Sequence, residues 1–147
     1  MRCSGPIGYE RVHYEAPPEN RLAQEMQAFL DWFNHPPADL DGLIRAGVAH
    51  VWFEILHPFE DGDGRVGRAL LDLALAQDEK RATRLHSLSA RFNEHRDEYY
   101  EALGNVSSGG LDVTPWLAWF LGKFEQAARA SRRTVDKSAI LGASRTH

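Results

Sequence analysis

The sequence predicts an all-α domain, a bundle of helices with one small β-like arm at its N-terminal end. Three observations predict it. Apolar residues recur at helical spacing in long stretches from Asn20 onward, helix start and stop residues bracket those stretches, and β-branched residues mix with turn residues only before Pro17.

The elements follow in order. PIGYERVHYEAPP reads as a short hairpin or extended arm over 6–17, because prolines and a glycine alternate with Ile, Val and Tyr. From Asn20 to His35, Leu22, Met26, Phe29, Leu30 and Phe33 share a helical face, and Pro36-Pro37 ends the run. Asp39 to Leu56 repeats the pattern with Leu43, Ile44, Gly47, Val48, Val51, Trp52, Ile55 and Leu56, then runs straight into His57. Arg65 to Glu79 contains RALLDLALAQDE, rich in strong helix formers and apolar nearly all round, which predicts a central, buried helix. Ser89 is placed to cap a helix through Leu103, followed by the turn-like GNVSSGG. Thr114-Pro115 matches an N-cap with proline at the first helical position, opening WLAWFLGKFEQAARA.

A chain of 147 residues with 43% apolar content fills one core, so a single domain over 1–147 is expected, with its helical core at 20–131. From Arg129 onward, Arg132, Arg133, Lys137 and Arg145 face Asp136 alone, so 132–147 reads as a basic, solvated helix end and loose terminus. The net charge of −4 argues against a nucleic-acid footprint over the whole surface. A single cysteine, Cys3, excludes an internal disulfide and a thiolate-rich metal site. No apolar run reaches the roughly 18 residues of a membrane span and no secretory signal opens the chain, so a soluble, cytoplasmic protein is expected.

The chemistry concentrates in HPFEDGDGRVGR, residues 57–68, between two helical runs. Pro58 biases His57 out of helical geometry, so the preceding helix ends there and leaves the imidazole at a rim. Gly62 and Gly64 allow positive φ or close approach, and the next helix adds unsatisfied amides and the positive end of its dipole. Those amides form an anion site suited to phosphate. Arg65 and Arg68, three apart, share a face and can lean back toward that anion. Asp61 is a hard oxygen donor that could hold Mg²⁺ beside a polyphosphate. A histidine can take a proton at neutral pH. Base, metal ligand, amide cradle and charge clamp together describe a phosphate-transfer site. Each part alone also has a structural reading: GDG as a turn, the arginines as solvated side chains, Glu60 as a surface charge.

Two rival chemistries bear on the same residues. DGDGRVGRALLD lacks the ligand and glycine that a calcium loop needs at its fifth and sixth positions, and Asp72 stands where such a loop has glutamate. His50, Glu54 and His57 fall at i, i+4 and i+7 and could present two imidazoles and a carboxylate to zinc. His50 among apolar residues fits a hydrogen-bonded core histidine as well.

The stretch 57–68 resembles the signature of the Fic (filamentation induced by cAMP) domain family, His-x-Phe-x-(Asp/Glu)-Gly-Asn-Gly-Arg-x-x-Arg, at every fixed position but one. LIRAGVAHVWFEILHPF is similar to the helix before that signature, RDEYYEALG to a later helix, DVTPWLAWFL to the segment that follows, and IGYERVHYEAPP to the family's β-hairpin flap. The resemblance implies a Fic-type helical bundle and a protein adenylyltransferase that moves AMP from ATP to a Ser, Thr or Tyr hydroxyl of a target protein. It implies His57 as general base, Phe59 as the loop's anchor in the core, and Asp61 as the Mg²⁺ ligand. It places Gly62 and Gly64 around the anion, Arg65 at the β/α-phosphate region, Arg68 at the γ-phosphate, and Tyr99 and Tyr100 near the nucleobase. It implies a target protein docked on the flap near residues 7–14.

The departure is Asp63, where the pattern has asparagine. An ionised aspartate only accepts hydrogen bonds, so it must turn away from phosphate, become protonated, or join Asp61 on the metal. A metal or water-mediated contact is the expectation. The family's inhibitory string, (Ser/Thr)-x-x-x-Glu-(Gly/Asn), does not occur in the sequence, so any inhibitory element is expected on an N-terminal extension or a partner. Alternatives to the adenylyltransferase are a non-catalytic nucleotide-binding module, a Fic-type enzyme using another phosphate-containing donor, and the zinc hydrolase through His50, Glu54 and His57.

Overall fold

The computed structural model describes residues 17–78, 88–108, 110 and 112–144, and all regular structure among them is helical. Six helices follow one another: α1 (Glu19–Asn34), α2 (Gly42–Leu56), α3 (Asp63–Ala76), α4 (Leu88–Glu94), α5 (Arg96–Ser108) and α6 (Thr114–Ala143). The hairpin expected over 6–17 lies, apart from residue 17, outside the described residues.

The helix at the centre is α2, not the alanine-leucine helix α3. Leu43, Ala46, Gly47, Ala49, His50, Val51, Phe53 and Leu56 are all buried, and these positions cover more than half of its circumference. Helix α3 buries one stripe, Asp63, Gly67, Leu71 and Ala74, while Val66 and Leu73 are exposed. Its composition suggested more burial than it has, because among the described helices α2 is the one that packs closely against it. Asp41 opens α2 as a side-chain cap, accepting from the Leu43 and Ile44 amides at 2.9 and 3.2 Å.

Small residues set the helix spacing. At Gly47 an added Cβ would come within 2.9 Å of the Phe120 ring and 3.0 Å of Leu117, so α2 and α6 approach there without side chain between them. The Trp116 indole uses that closeness, donating from Nε1 to the Gly47 carbonyl at 2.8 Å. Around it, Trp116 stacks on Phe120 and His50 and meets Phe92, Tyr99 and Trp119, which brings α2, α4, α5 and α6 into one aromatic core. Phe29 and Phe33 of α1 close the other side against Trp52 and Phe53. Buried Arg45 donates to the Phe33 carbonyl (2.7 Å) and Gln77 Oε1 (2.9 Å), which ties the ends of α1 and α3 to α2.

Three boundaries differ from the sequence reading. Helix α3 starts at Asp63, two residues before Arg65, because Gly62 takes a left-handed conformation (φ 90°) and its carbonyl already accepts from the Arg65 and Val66 amides. The helix expected from Ser89 to Leu103 is two helices meeting at His95, and the second runs through GNVSS because Val106 is fully buried. Helix α6 continues to Ala143, so residue 131 ends no element; beyond Ala127 it buries nothing, and Val135, Ile140 and Leu141 are about two-thirds exposed. The expected loose terminus is therefore a projecting helix as far as Ala143. No helix among the described residues is long and apolar enough to cross a membrane.

Candidate active site

The site lies where α2 gives way to α3. Helix α2 ends at His57, which adopts a left-handed conformation (φ 45°, ψ 57°) while its amide still donates to the Phe53 carbonyl at 3.1 Å. The helix ends where Pro58 implies, and the chain leaves it through a left-handed cap that glycine more often fills. Among the described residues His57 is the one non-glycine residue with positive φ. Holding a branched side chain there costs on the order of 1–3 kcal/mol, which the surrounding contacts must offset.

From that cap the loop returns to Gly62, whose φ of 90° suits glycine, and α3 begins with no side-chain cap on its first amides. The two arginines fold back over this end. The Arg65 guanidinium lies beside the open face of Gly62, with Nη2 3.4 Å from where a Cβ would stand, and Arg68 Nη1 lies at the same distance from that of Gly64. Each guanidinium group thus lies over the first turn of α3, which has no side-chain cap, and the His57 imidazole, 26% exposed, stands at the end of the preceding helix. Gly64 itself is helical, so its value there is space rather than positive φ.

Asp61 is almost fully exposed, 3.8 Å from Arg65 Nη2. This accessible carboxylate fits a Mg²⁺ ion, which keeps several waters and takes one or two carboxylates plus phosphate oxygens. Asp63 does not join it. Its side chain is buried, Oδ1 accepts from the Phe59 amide at 3.1 Å, and Oδ2 lies 3.2 Å from His57 Nδ1. Of the three options for an aspartate here, the structure shows the first: the carboxylate turns inward, away from the anion volume.

Phe59 does not anchor the loop by deep burial. It is 47% exposed, its ring centroid 6.4 Å from that of Phe53, and the loop is held through its amide instead. Tyr99 and Tyr100 separate. Tyr99 is buried with its hydroxyl 2.8 Å from His50 Nε2, so it belongs to the core, whereas Tyr100 is 42% exposed with the Arg96 guanidinium over its ring. Adjacent residues on a helix point about 100° apart, so one tyrosine of the pair faces in and the other out.

The zinc reading through His50, Glu54 and His57 is overturned. Both ring nitrogens of His50 are engaged, Nδ1 with the Gly67 carbonyl (2.9 Å) and Nε2 with Tyr99, inside a fully buried setting. Among the described residues no cluster of His, Cys, Asp and Glu is arranged to hold a metal by itself.

Glu54 was weighed in the sequence only as a ligand, and the structure gives it another character. Its Oε1 is enclosed without a hydrogen-bond partner, against the face of α3 that Gly67 leaves bare. Burial raises its pKa from 4.5 to about 7, the Asp63 charge adds to the rise, and Arg68 opposes it. His50 is shifted the other way: burial lowers it to about 4, a lowering the Gly67 carbonyl opposes and Arg68 adds to. The consequences for stability oppose each other. An acid with a raised folded pKa loses stability as pH climbs from 4.5 to about 7; a base with a depressed pKa gains stability between about 4 and 6.5. In the overlap the two slopes largely cancel. Glu54→Gln is therefore expected to unmask the His50 slope, leaving stability near pH 4 unchanged and adding up to roughly 3 kcal/mol by about pH 8. Urea unfolding of both proteins across that range checks it, and parallel curves would contradict the burial of Glu54 in its acid form.

The family model for the Fic/DOC family matches residues 4–75, which hold the whole 57–68 stretch. Protein adenylyltransferase Fic of Nematostella vectensis is 30% identical over 125 residues, covering 84% of this chain. The chain belongs to the Fic/DOC family. A probable protein adenylyltransferase of Aquifex aeolicus is 28% identical over 120 residues, covering 77% of the chain. The crystal structure of a Fic family protein from Desulfovibrio desulfuricans G20 superposes with a TM-score of 0.74 at 29% identity, over 86% of this chain and 38% of that one. The all-helical architecture is thus that of a Fic protein of known structure. The chain spans 26% and 35% of the length of the two curated relatives.

Proposed function

We propose that this Fic domain is a protein adenylyltransferase, moving AMP from Mg-ATP to a Ser, Thr or Tyr hydroxyl of a target protein. The observation that carries the reading is the convergence of Arg65 and Arg68 over Gly62 and Gly64, at an uncapped helix N-terminus with an imidazole beside it. The relatives support it, since both curated proteins carry the name adenylyltransferase.

On this reading the triphosphate lies along the start of α3, where the amides and helix dipole meet negative charge and Arg65 and Arg68 clamp the β/α and γ groups. His57 accepts the proton of the target hydroxyl as its oxygen bonds to the α-phosphorus; the α–β bridging P–O bond breaks, and pyrophosphate leaves with that electron pair. Asp61 would hold Mg²⁺, which when bound supplies positive charge between phosphate oxygens. Of the two tyrosines, the exposed Tyr100 is the one this reading assigns to the nucleobase. The target is proposed to dock on residues 7–14, which lie outside the described residues, by strand pairing that is largely main-chain.

Incubated with labelled ATP, Mg²⁺ and cell lysate, the protein is expected to label lysate proteins, whereas the His57→Ala variant is not. Equal labelling by both would remove the enzymatic reading.

A further inference from the structure

Asp63 stands where this chain departs from the family pattern, and its surroundings give the departure a use. We propose that Asp63 is a positioning residue for His57: it keeps the proton on Nδ1 and so presents Nε2, unprotonated, to the target hydroxyl. The proposal rests on the adenylyltransferase reading for what Nε2 does, but not for which nitrogen carries the proton.

Three observations converge on it. Asp63 is 4% exposed, and its Oδ2 lies 3.2 Å from His57 Nδ1 while accepting no aligned hydrogen bond in its enclosure, so the imidazole is the polar group that faces it. A carboxylate only accepts, so the nitrogen facing it is stabilised in the N–H form, and a neutral imidazole then has its lone pair on the other nitrogen. Second, Oδ1 takes the Phe59 amide at 3.1 Å, so one carboxylate grips the chain at His57 and two residues beyond it. Third, the gripped residue is the one whose backbone is strained, with φ at 45° ahead of a proline. Such a conformation persists where the surroundings over-determine it, and Asp63 reaches both sides of it.

The same contact serves the reaction as it proceeds. When the hydroxyl O–H bond breaks and its proton passes to Nε2, the ring becomes a cation with Nδ1 still beside the Asp63 carboxylate, 3.2 Å from Oδ2. A carboxylate there stabilises the imidazolium while the new O–P bond forms and pyrophosphate departs. A negative side chain is tolerable beside a phosphate site because it is turned inward, behind the histidine, rather than toward the anion.

Asparagine at this position can do only half of this. Its amide oxygen can take the Phe59 N–H, which leaves an NH₂ group, a donor, facing His57 Nδ1. A donor there favours the opposite tautomer, with the proton on Nε2 and no lone pair toward the substrate. Nitrogen-15 NMR of the His57 ring at about pH 8, where an ordinary imidazole is neutral, separates the two forms. The wild type is expected to hold Nδ1–H, and Asp63→Asn to shift toward Nε2–H with an unchanged melting curve. In the transfer assay kcat is expected to fall by at least roughly tenfold while KM for ATP stays the same. A wild-type ring protonated on Nε2 overturns the proposal even if the variant fails to fold, and so does a tautomer indifferent to residue 63. If the tautomer follows residue 63 but the wild type transfers no AMP, positioning stands and the adenylyltransferase reading falls.

Discussion

His57→Ala is expected to lower the rate of AMP transfer by roughly 10²–10⁴-fold while leaving Mg-ATP binding within a small factor of wild type. The imidazole is partly exposed at the end of α2 and is not one of the buried side chains that build the core, so its removal opens no cavity there. The proposed anion cradle is made of Arg65, Arg68 and the amides that begin α3, whereas the His57 imidazole lies against the Asp63 carboxylate. Binding and chemistry should therefore separate. Calorimetry with Mg-ATP reports the first and single-turnover transfer the second; a variant that loses both together would mean that His57 holds the cradle rather than the proton. The backbone at this residue adds a control. Alanine shares the cost of a left-handed conformation, whereas glycine does not, so His57→Gly is expected to be as inactive as His57→Ala but more stable by about 1 kcal/mol.

Trp116→Ala is expected to destabilise the domain by roughly 3–5 kcal/mol, a large part of the stability available to a chain of this size. Trp116 is fully buried and is the side chain on which α2, α5 and α6 meet. Truncation leaves a cavity against His50, Phe92 and Tyr99 and takes away the donor to the Gly47 carbonyl, at the point where α2 and α6 approach most closely. Collapse into that cavity is restricted because the aromatic rings around it are packed on one another from four helices. A loss below about 1 kcal/mol in urea unfolding would contradict this picture of the core. Function feels the change through His50, which Trp116 stacks upon and which ties α2 to α3 through the Gly67 carbonyl.

The residues of the cradle were legible in the sequence because their constraints are local. A proline after His57, glycines at 62 and 64, and arginines one helical turn apart need only backbone geometry to be read, and the structure brings them together as that geometry implies. What the sequence hid depends on partners far along the chain. Whether Tyr99 or Tyr100 faces inward is decided by His50, forty-nine residues earlier. Glu54 becomes a buried acid because Gly67 leaves room for it on the facing helix, a pairing that no window around either residue contains. The centre of the bundle depends on distant partners in the same way: RALLDLALAQDE suggests all-round burial, yet α3 buries one stripe while α2 packs against α1, α3 and α6. Asp63 is the instructive case. Its chemistry as an acceptor-only group was clear, but the left-handed turn at His57, which carries the imidazole to it, runs against the preference of a residue before proline.

If the protein is an adenylyltransferase, attack falls on the α-phosphorus of a triphosphate seated at the start of α3. Parallel reactions with ATP labelled at the α- or the γ-phosphate, with Mg²⁺ and lysate, read out the site of attack. Protein-bound label is expected from the α-labelled nucleotide alone, with the γ-label recovered in pyrophosphate. Label reaching protein from the γ-position would show transfer of a phosphoryl group instead, and would contradict the placement of His57 and the two arginines along the nucleotide.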